Sequence, residues 1–226
     1  MSNIFSSSIG KKILMSLTGL FLMVFLLVHL IINLMLLVGP EAYNKAAHFM
    51  ATNPAIKVME PLLALGFIIH ILLATVLTLK NRQTRPVRYA VTTQSASSTW
   101  ASRNMYVLGF TLFVFLVIHM LNFFIKMKFT GDDLLHHVMV DGVEMENAYA
   151  LVSTIFINYW YIDVLYLIGF ISLGFHLYHG FWSAFQSIGL SNNIWKKRLV
   201  IIGRLYLIAL TVGYSIIPLY FLFLNN

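Results

Sequence analysis

ILMSLTGLFLMVFLLVHLIINLMLLV, residues 13 to 38, is an unbroken run of 26 residues without a charge. A helix needs about 20 apolar residues to cross the hydrocarbon core of a bilayer, and a soluble core helix rarely has so many. Four further runs of this kind follow, at residues 61 to 79, 104 to 125, 164 to 185 and 205 to 224. The first is too long for the apolar region of a cleavable signal, and no small-residue cleavage site follows Val38, so it stays as a span. The whole chain agrees: of its 226 residues 59% are hydrophobic and 10% charged, against roughly 45–50% and 25% in soluble domains. The expectation is an all-α polytopic membrane protein, a single membrane domain over residues 1–226 with five transmembrane helices.

There is no cysteine. The chain can therefore hold no disulfide, no thiolate-ligated iron–sulfur cluster and no covalently attached c-type haem, and any metal must rest on histidine or carboxylate. The net charge of +7 does not point to nucleic acid, because the basic residues are not interleaved with aromatic residues on a soluble face. Sorted by side, the charges give an orientation instead. Lys11, Lys12, Lys80, Arg82, Arg85, Arg88, Arg103, Lys196, Lys197, Arg198 and Arg204 fall in the inner segments, and Lys45, Lys57, Lys126 and Lys128 in the outer ones. Eleven against four follows the positive-inside rule and places the N-terminus in the cytoplasm. All eight acids, Glu41, Glu60, Asp132, Asp133, Asp141, Glu144, Glu146 and Asp163, fall outside.

Residues 147 to 162, NAYALVSTIFINYWYI, carry no charge but are too few for a sixth span. They read as an interfacial segment, with Tyr159, Trp160 and Tyr161 at headgroup level. The other connections read as short, except the basic, serine- and threonine-rich loop at residues 80 to 103. It is either a solvated orientation signal or a docking surface in which Ser97, Ser98 and Ser102 offer hydrogen bonds.

Four of the five spans carry a histidine deep in the apolar run: His29, His70, His119 and His176. A single one would read as an interhelical hydrogen bond, but ionisable groups within spans are costly and each is a functional candidate. At about 1.5 Å per residue, with direction alternating between helices, His70 and His176 lie roughly 15 Å from the inner boundary and His29 and His119 roughly 23 Å. Two histidines at one level on different helices are what the two axial ligands of a haem standing between helices require. Neutral imidazole binds iron without adding charge to the low-dielectric interior. With both axial positions filled, such a haem passes electrons and does not bind oxygen.

His179, one turn from His176, is an alternative inner ligand or a partner for a propionate or water. His48, His136 and His137 read as ordinary polar residues of outer loops. Gly19, Gly66, Gly109, Gly174 and Gly180 offer either close approach for a flat macrocycle or plain helix packing.

Residues 14 to 54, LMSLTGLFLMVFLLVHLIINLMLLVGPEAYNKAAHFMATNP, and residues 175 to 190, FHLYHGFWSAFQSIGL, resemble the di-haem cytochrome b membrane anchor of succinate dehydrogenases and fumarate reductases. The similarity extends over all five spans and includes one histidine in each of the first four. In cytochrome b of the bc complexes, by contrast, two helices carry two histidines each. The resemblance implies two haems b, the outer on His29 and His119 and the inner on His70 and His176. The family pattern of a histidine followed four residues later by glycine fits His176 and Gly180, leaving His179 at a variable position.

The same resemblance implies, in a bacterial inner membrane, a flavoprotein with covalent FAD and an iron–sulfur subunit on the cytoplasmic side. It also implies exchange of electrons with a membrane quinone, usually menaquinone. For the quinone, the outer end near His29 and His119 is the first place to look. Glu60, at the outer start of the second span, is a candidate proton acceptor, and Tyr43 and Asn33 are candidate lining residues. Their plainer readings are a helix N-terminal acid favoured by the dipole and interfacial anchors. Some fumarate reductases carry a proton-conducting glutamate two residues before the fourth-helix ligand; Gly174 stands there in this chain, which puts that path in doubt. The rival readings are the cytochrome b subunit of a hydrogenase or formate dehydrogenase, and a haem-free transporter or anchor whose histidines relay protons or pack helices.

Overall fold

Ser7 opens the first span: its hydroxyl accepts the Gly10 N–H at 2.9 Å, satisfying one of the donors that a helix start leaves free. A computed structural model describes residues 7–83 and 99–224; Ser97 and Ser98 lie outside the described residues. Helix α1, Ser8–Val38, ends at Gly39, whose φ of 140° suits glycine and few other residues. Pro40 begins α2, Pro40–Thr52, with Glu41 in its first turn, the position where an acid meets the helix dipole favourably. Helix α3 runs Pro54–Gln83. The short α4, Trp100–Arg103, is capped by the Thr99 hydroxyl and leads into α5, Met105–His119.

Immediately after His119 the winding loosens into π-helical turns, Met120–Phe124 and Lys126–Thr130, so the third span covers Met105–Thr130. A 3-10 turn at Asp133–Leu135 precedes a hairpin of β1, His137–Val140, and β2, Val143–Glu146, paired antiparallel with Val140 opposite Val143. Its two-residue turn, Asp141 and Gly142, has positive φ at both positions, as a type I′ turn requires. Helix α6, Ala148–Asn158, then α7, Trp160–Ser187, and α8, Asn193–Leu224, complete the chain.

The chain is thus an all-α membrane protein with five helices, α1, α3, α5, α7 and α8, long and apolar enough to cross a bilayer. Helix α7 is the most buried of them and α3 the least. Helix α1 packs on α3, α7 and α8, and α7 on α5 and α8, whereas α1 with α5 and α3 with α7 are not among the closely packed pairs. Glycine permits the tightest approaches: a Cβ on Gly169 would lie 2.5 Å from the Phe115 ring, and one on Gly213 2.9 Å from Leu30.

The connections at the outer end are more built than the sequence suggested. Segment 147–162 is helical and forms part of the core, with Leu151 fully sealed and Val152, Ile155 and Phe156 buried. Tyr159, Trp160 and Tyr161 at its end are exposed. Asn44 ties the layer together. Buried on α2, it accepts the Tyr149 N–H at 2.8 Å and donates to Asn147 Oδ1 at 3.1 Å. Asn147 also caps α6 through the Ala150 N–H. All three ion pairs among the described residues are at this end: Lys45 with Asp141, Lys126 with Asp132, and Lys128 with Glu60.

Candidate functional site

The helical register brings the four span histidines together in twos. The rings of His29 on α1 and His119 on α5 lie 5.6 Å apart between centroids, with planes at 90°. Those of His70 on α3 and His176 on α7 lie 6.3 Å apart at 63°. Neither of these helix combinations is among the closely packed ones, so each histidine pair stands where its helices are held apart.

The two pairs are framed differently. At the outer pair each histidine is stacked by a phenylalanine one turn earlier on its own helix, Phe25 on His29 at 5.2 Å and Phe115 on His119 at 5.9 Å. Phe123 adds an edge contact to His119. At the inner pair the neighbours are bare backbone. A Cβ on Gly19 would meet His70 Cε1 at 3.4 Å, and one on Gly109 would meet His176 Cε1 at 3.7 Å. Gly66 and Gly174 serve helix packing instead, against Phe21 and Thr211, and Gly180 faces Met105.

Hydrogen bonds decide which ring nitrogen is available. The Thr18 hydroxyl is 3.0 Å from both the Leu14 and Met15 carbonyls, so its single proton is used there. Its oxygen is left to accept from His70 Nδ1 at 3.3 Å. That places the His70 proton on Nδ1 and leaves the Nε2 lone pair free. His119 Nδ1 lies 3.3 Å from the Tyr166 hydroxyl, to which Asn122 also donates at 3.4 Å; a proton on Nδ1 again frees Nε2.

His176 Nδ1 is buried without a partner. At His29 the Nε2 lone pair is engaged: the Asn33 amide lies 3.3 Å from it while donating to the His29 carbonyl at 2.8 Å. A metal at His29 Nε2 would require that amide to withdraw.

These residues fit bis-imidazole ligation of a haem better than a compact metal centre. Among the described residues no three His, Asp or Glu side chains converge on one point, whereas a haem iron asks for two axial ligands only, and His70 and His119, one in each pair, are fixed through the other ring nitrogen.

The remaining candidates are dispersed. Asn33 touches His29. Tyr43 is buried on α2, where burial pushes its hydroxyl well above the ordinary tyrosine range. Glu60 is not at a helix start, because α3 begins at Pro54, so the dipole no longer accounts for it. Its carboxylate instead accepts from Lys128 at 2.9 and 3.1 Å, joining the outer ends of α3 and α5. His179 lies one turn beyond His176 on α7 and is half-buried. Among the loop histidines, His136 lies 3.4 Å from the Asn147 amide and His137 opens β1.

Three side chains at the site escaped the sequence reading: Thr18, Tyr166 and Asn122. The repeated Phe-x-x-x-His at Phe25 to His29 and Phe115 to His119 was a signal for the outer pair. Compared with protein families, curated proteins and solved structures, the chain matches none.

Proposed function

We propose that the chain is the membrane anchor and electron-transfer subunit of a succinate:quinone oxidoreductase. In this reading it passes electrons between an iron–sulfur subunit and menaquinone or menaquinol, in succinate oxidation or fumarate reduction, in a bacterial inner membrane. The observation that carries the proposal is the meeting of four intramembrane histidines as two facing pairs on four different helices, at 5.6 and 6.3 Å. Two b haems held by such pairs supply reversible one-electron chemistry with no open coordination position.

The chain's own residues then have definite tasks. His29 and His119 hold the outer group and His70 and His176 the inner one. Thr18 and Tyr166 fix ring orientation through Nδ1. Gly19 and Gly109 leave the inner rings unobstructed. Glu60, Tyr43 and Asn33 are the groups proposed for the quinone end. The flavin and the iron–sulfur clusters belong to partner chains, in keeping with the absence of cysteine.

The test is the reduced-minus-oxidised absorption spectrum of the purified protein, with haem quantified per chain. Two low-spin b-type haems per chain are expected. No b-type signal would overturn the reading in favour of a haem-free transporter or anchor, and one haem per chain would remove one of the two pairs from it.

A further inference from the structure

Every carboxylate side chain of this protein lies in the segments assigned to the outer side, and eleven of its fifteen lysines and arginines lie in the inner ones. Lys196, Lys197 and Arg204 therefore stand on the side where the charge pattern places no acid of this chain. Basic charge beside a membrane attracts anionic headgroups.

On α8 this charge is combined with a shape. Asn193, Lys196, Lys197, Val200 and Ile201 line one shallow groove, at helical spacings of three and four that put them on one face. The Lys196 ammonium sits 5.5 Å over the Trp182 ring of α7, which orients it while leaving the residue exposed. Arg204, seven residues beyond Lys197, is exposed on the same face. The stripe then turns wholly apolar through the exposed Leu205, Ile208 and Val212. The charge-free run of this helix begins after Arg204, which puts its inner boundary there, with Lys197 and Lys196 about 10 and 12 Å before it along the helix. Arg204 therefore lies at the boundary, the two lysines extend long side chains from just below it, and the apolar stripe lies at acyl-chain depth.

We propose that this face of α8 is a binding site for an anionic phospholipid, its phosphate held by Lys196, Lys197 and Arg204 and one acyl chain laid along Ile201, Leu205, Ile208 and Val212. An acidic soluble partner could satisfy the cations but could not follow the exposed apolar stripe of Leu205, Ile208 and Val212 into the hydrocarbon layer. Membrane lipid satisfies both parts at once. This inference is independent of the haem reading.

The test is native mass spectrometry of the full chain, with any subunits that copurify, released from nanodiscs containing equal phosphatidylglycerol and phosphatidylcholine. Retained phosphatidylglycerol is expected to exceed phosphatidylcholine at least fivefold. The double substitution Lys196→Gln and Lys197→Gln should remove that preference, Lys196→Arg with Lys197→Arg should keep it, and Lys11→Gln with Lys12→Gln elsewhere on the inner side should leave it unchanged.

Equal loss in the Lys11 and Lys12 variant would overturn the proposal in favour of diffuse surface charge. Unchanged retention in the Lys196 and Lys197 variant would place the lipid elsewhere. Displacement of the lipid by inorganic phosphate alone would reduce the site to a simple anion site, and an acidic protein subunit occupying these cations in place of lipid would refute it outright.

Discussion

His119 Nδ1 lies 3.3 Å from the hydroxyl of Tyr166, a residue one helix away that is itself almost wholly buried. The Tyr166 ring also meets Phe115, Phe123, Phe156 and Phe170 edge to face, so ring and hydroxyl can be separated by mutation. Tyr166→Phe keeps the aromatic contacts and removes the partner of His119 and of the Asn122 amide. A loss of about 0.5–1.5 kcal/mol is expected, read as a modest fall in thermal midpoint in detergent. Tyr166→Ala should cost several-fold more. In the proposed function, Tyr166→Phe also weakens retention of the outer haem relative to the inner one, because an outer-shell partner typically contributes 10- to 100-fold in metal affinity.

The ring distances group the histidines by pair, and so should their variants. His29→Ala and His119→Ala should each lose the same spectral component, and His70→Ala and His176→Ala the other. If His179→Ala abolishes the inner component while His176→Ala keeps it, the ligand assignment on α7 is wrong. Asn33→Ala frees His29 Nε2 from its competing donor and should not diminish the outer component. If the outer component is lost with Asn33, the amide is holding the ring in place instead.

Gly19 separates room for a ring from room for a helix. A Cβ there meets His70 at 3.4 Å, an ordinary contact distance, so Gly19→Ala should be tolerated. Gly19→Leu projects further and must push the imidazole aside, so it should reduce the inner component and spare the outer one. Gly169→Ala, whose Cβ would lie 2.5 Å from the Phe115 ring, should instead lower the stability of the whole bundle. Thermal midpoint and haem content measured together distinguish the two effects.

The spans and the depth of their histidines were legible because a bilayer imposes a length and excludes charge, so the signal is written in single residues such as His29 and Lys80. Contacts that depend on rotation between helices were not legible. Thr18 meets His70 across 52 positions, and nothing in the local sequence around either says so. The outer layer escaped for a related reason: Asn44 looks like any polar loop residue until α2 and α6 are brought together around it. Helices run beyond their charge-free runs where charge does not end a helix. Helix α8 starts at Asn193 and carries Lys196, Lys197, Arg198 and Arg204 on its first turns, and α3 starts before Glu60.

Acid stability should report the turn after α5. Asp132 accepts from Lys126 at 2.7 Å and from the Leu134 N–H at 3.1 Å. Its carboxyl is held below the ordinary aspartate value by the Lys126 bond first and the backbone N–H second. A depressed folded-state value means the carboxylate stabilises the fold fully at pH values above the ordinary aspartate range, and that this contribution is lost as pH falls from there through the folded-state value. Asp132→Asn keeps the cap oxygen and removes the charge. The wild-type protein should therefore melt slightly above the variant at pH 6 to 7, the gap should begin to shrink below the unfolded-state value of about 3.9, and the two should converge only below the depressed folded-state value. No gap at any pH would mean that the side chain acts through the cap alone, and a gap that persists at low pH would mean that the substitution acts through something other than the charge.

Helix α8 is fastened to α1 through main-chain carbonyls in the membrane interior. Tyr206 donates to the Met23 carbonyl and Tyr214 to that of Leu26, both at 2.6 Å. Residues eight apart share a helix face, so the two hydroxyls act along one line of contact. Leu26 is one turn before His29, whose ring lies 6.1 Å from that of Tyr214. Tyr206→Phe should leave the Met23 carbonyl with one donor fewer and cost about 1 kcal/mol. Tyr214→Phe should cost a similar amount and in addition disturb His29. The measurement is a paired comparison of thermal midpoint and outer-haem content. Equal loss of midpoint, with outer-haem content falling only in Tyr214→Phe, is the expected result, because only that bond adjoins the histidine. A fall in haem content in both would make the α1–α8 contact a general support of the bundle.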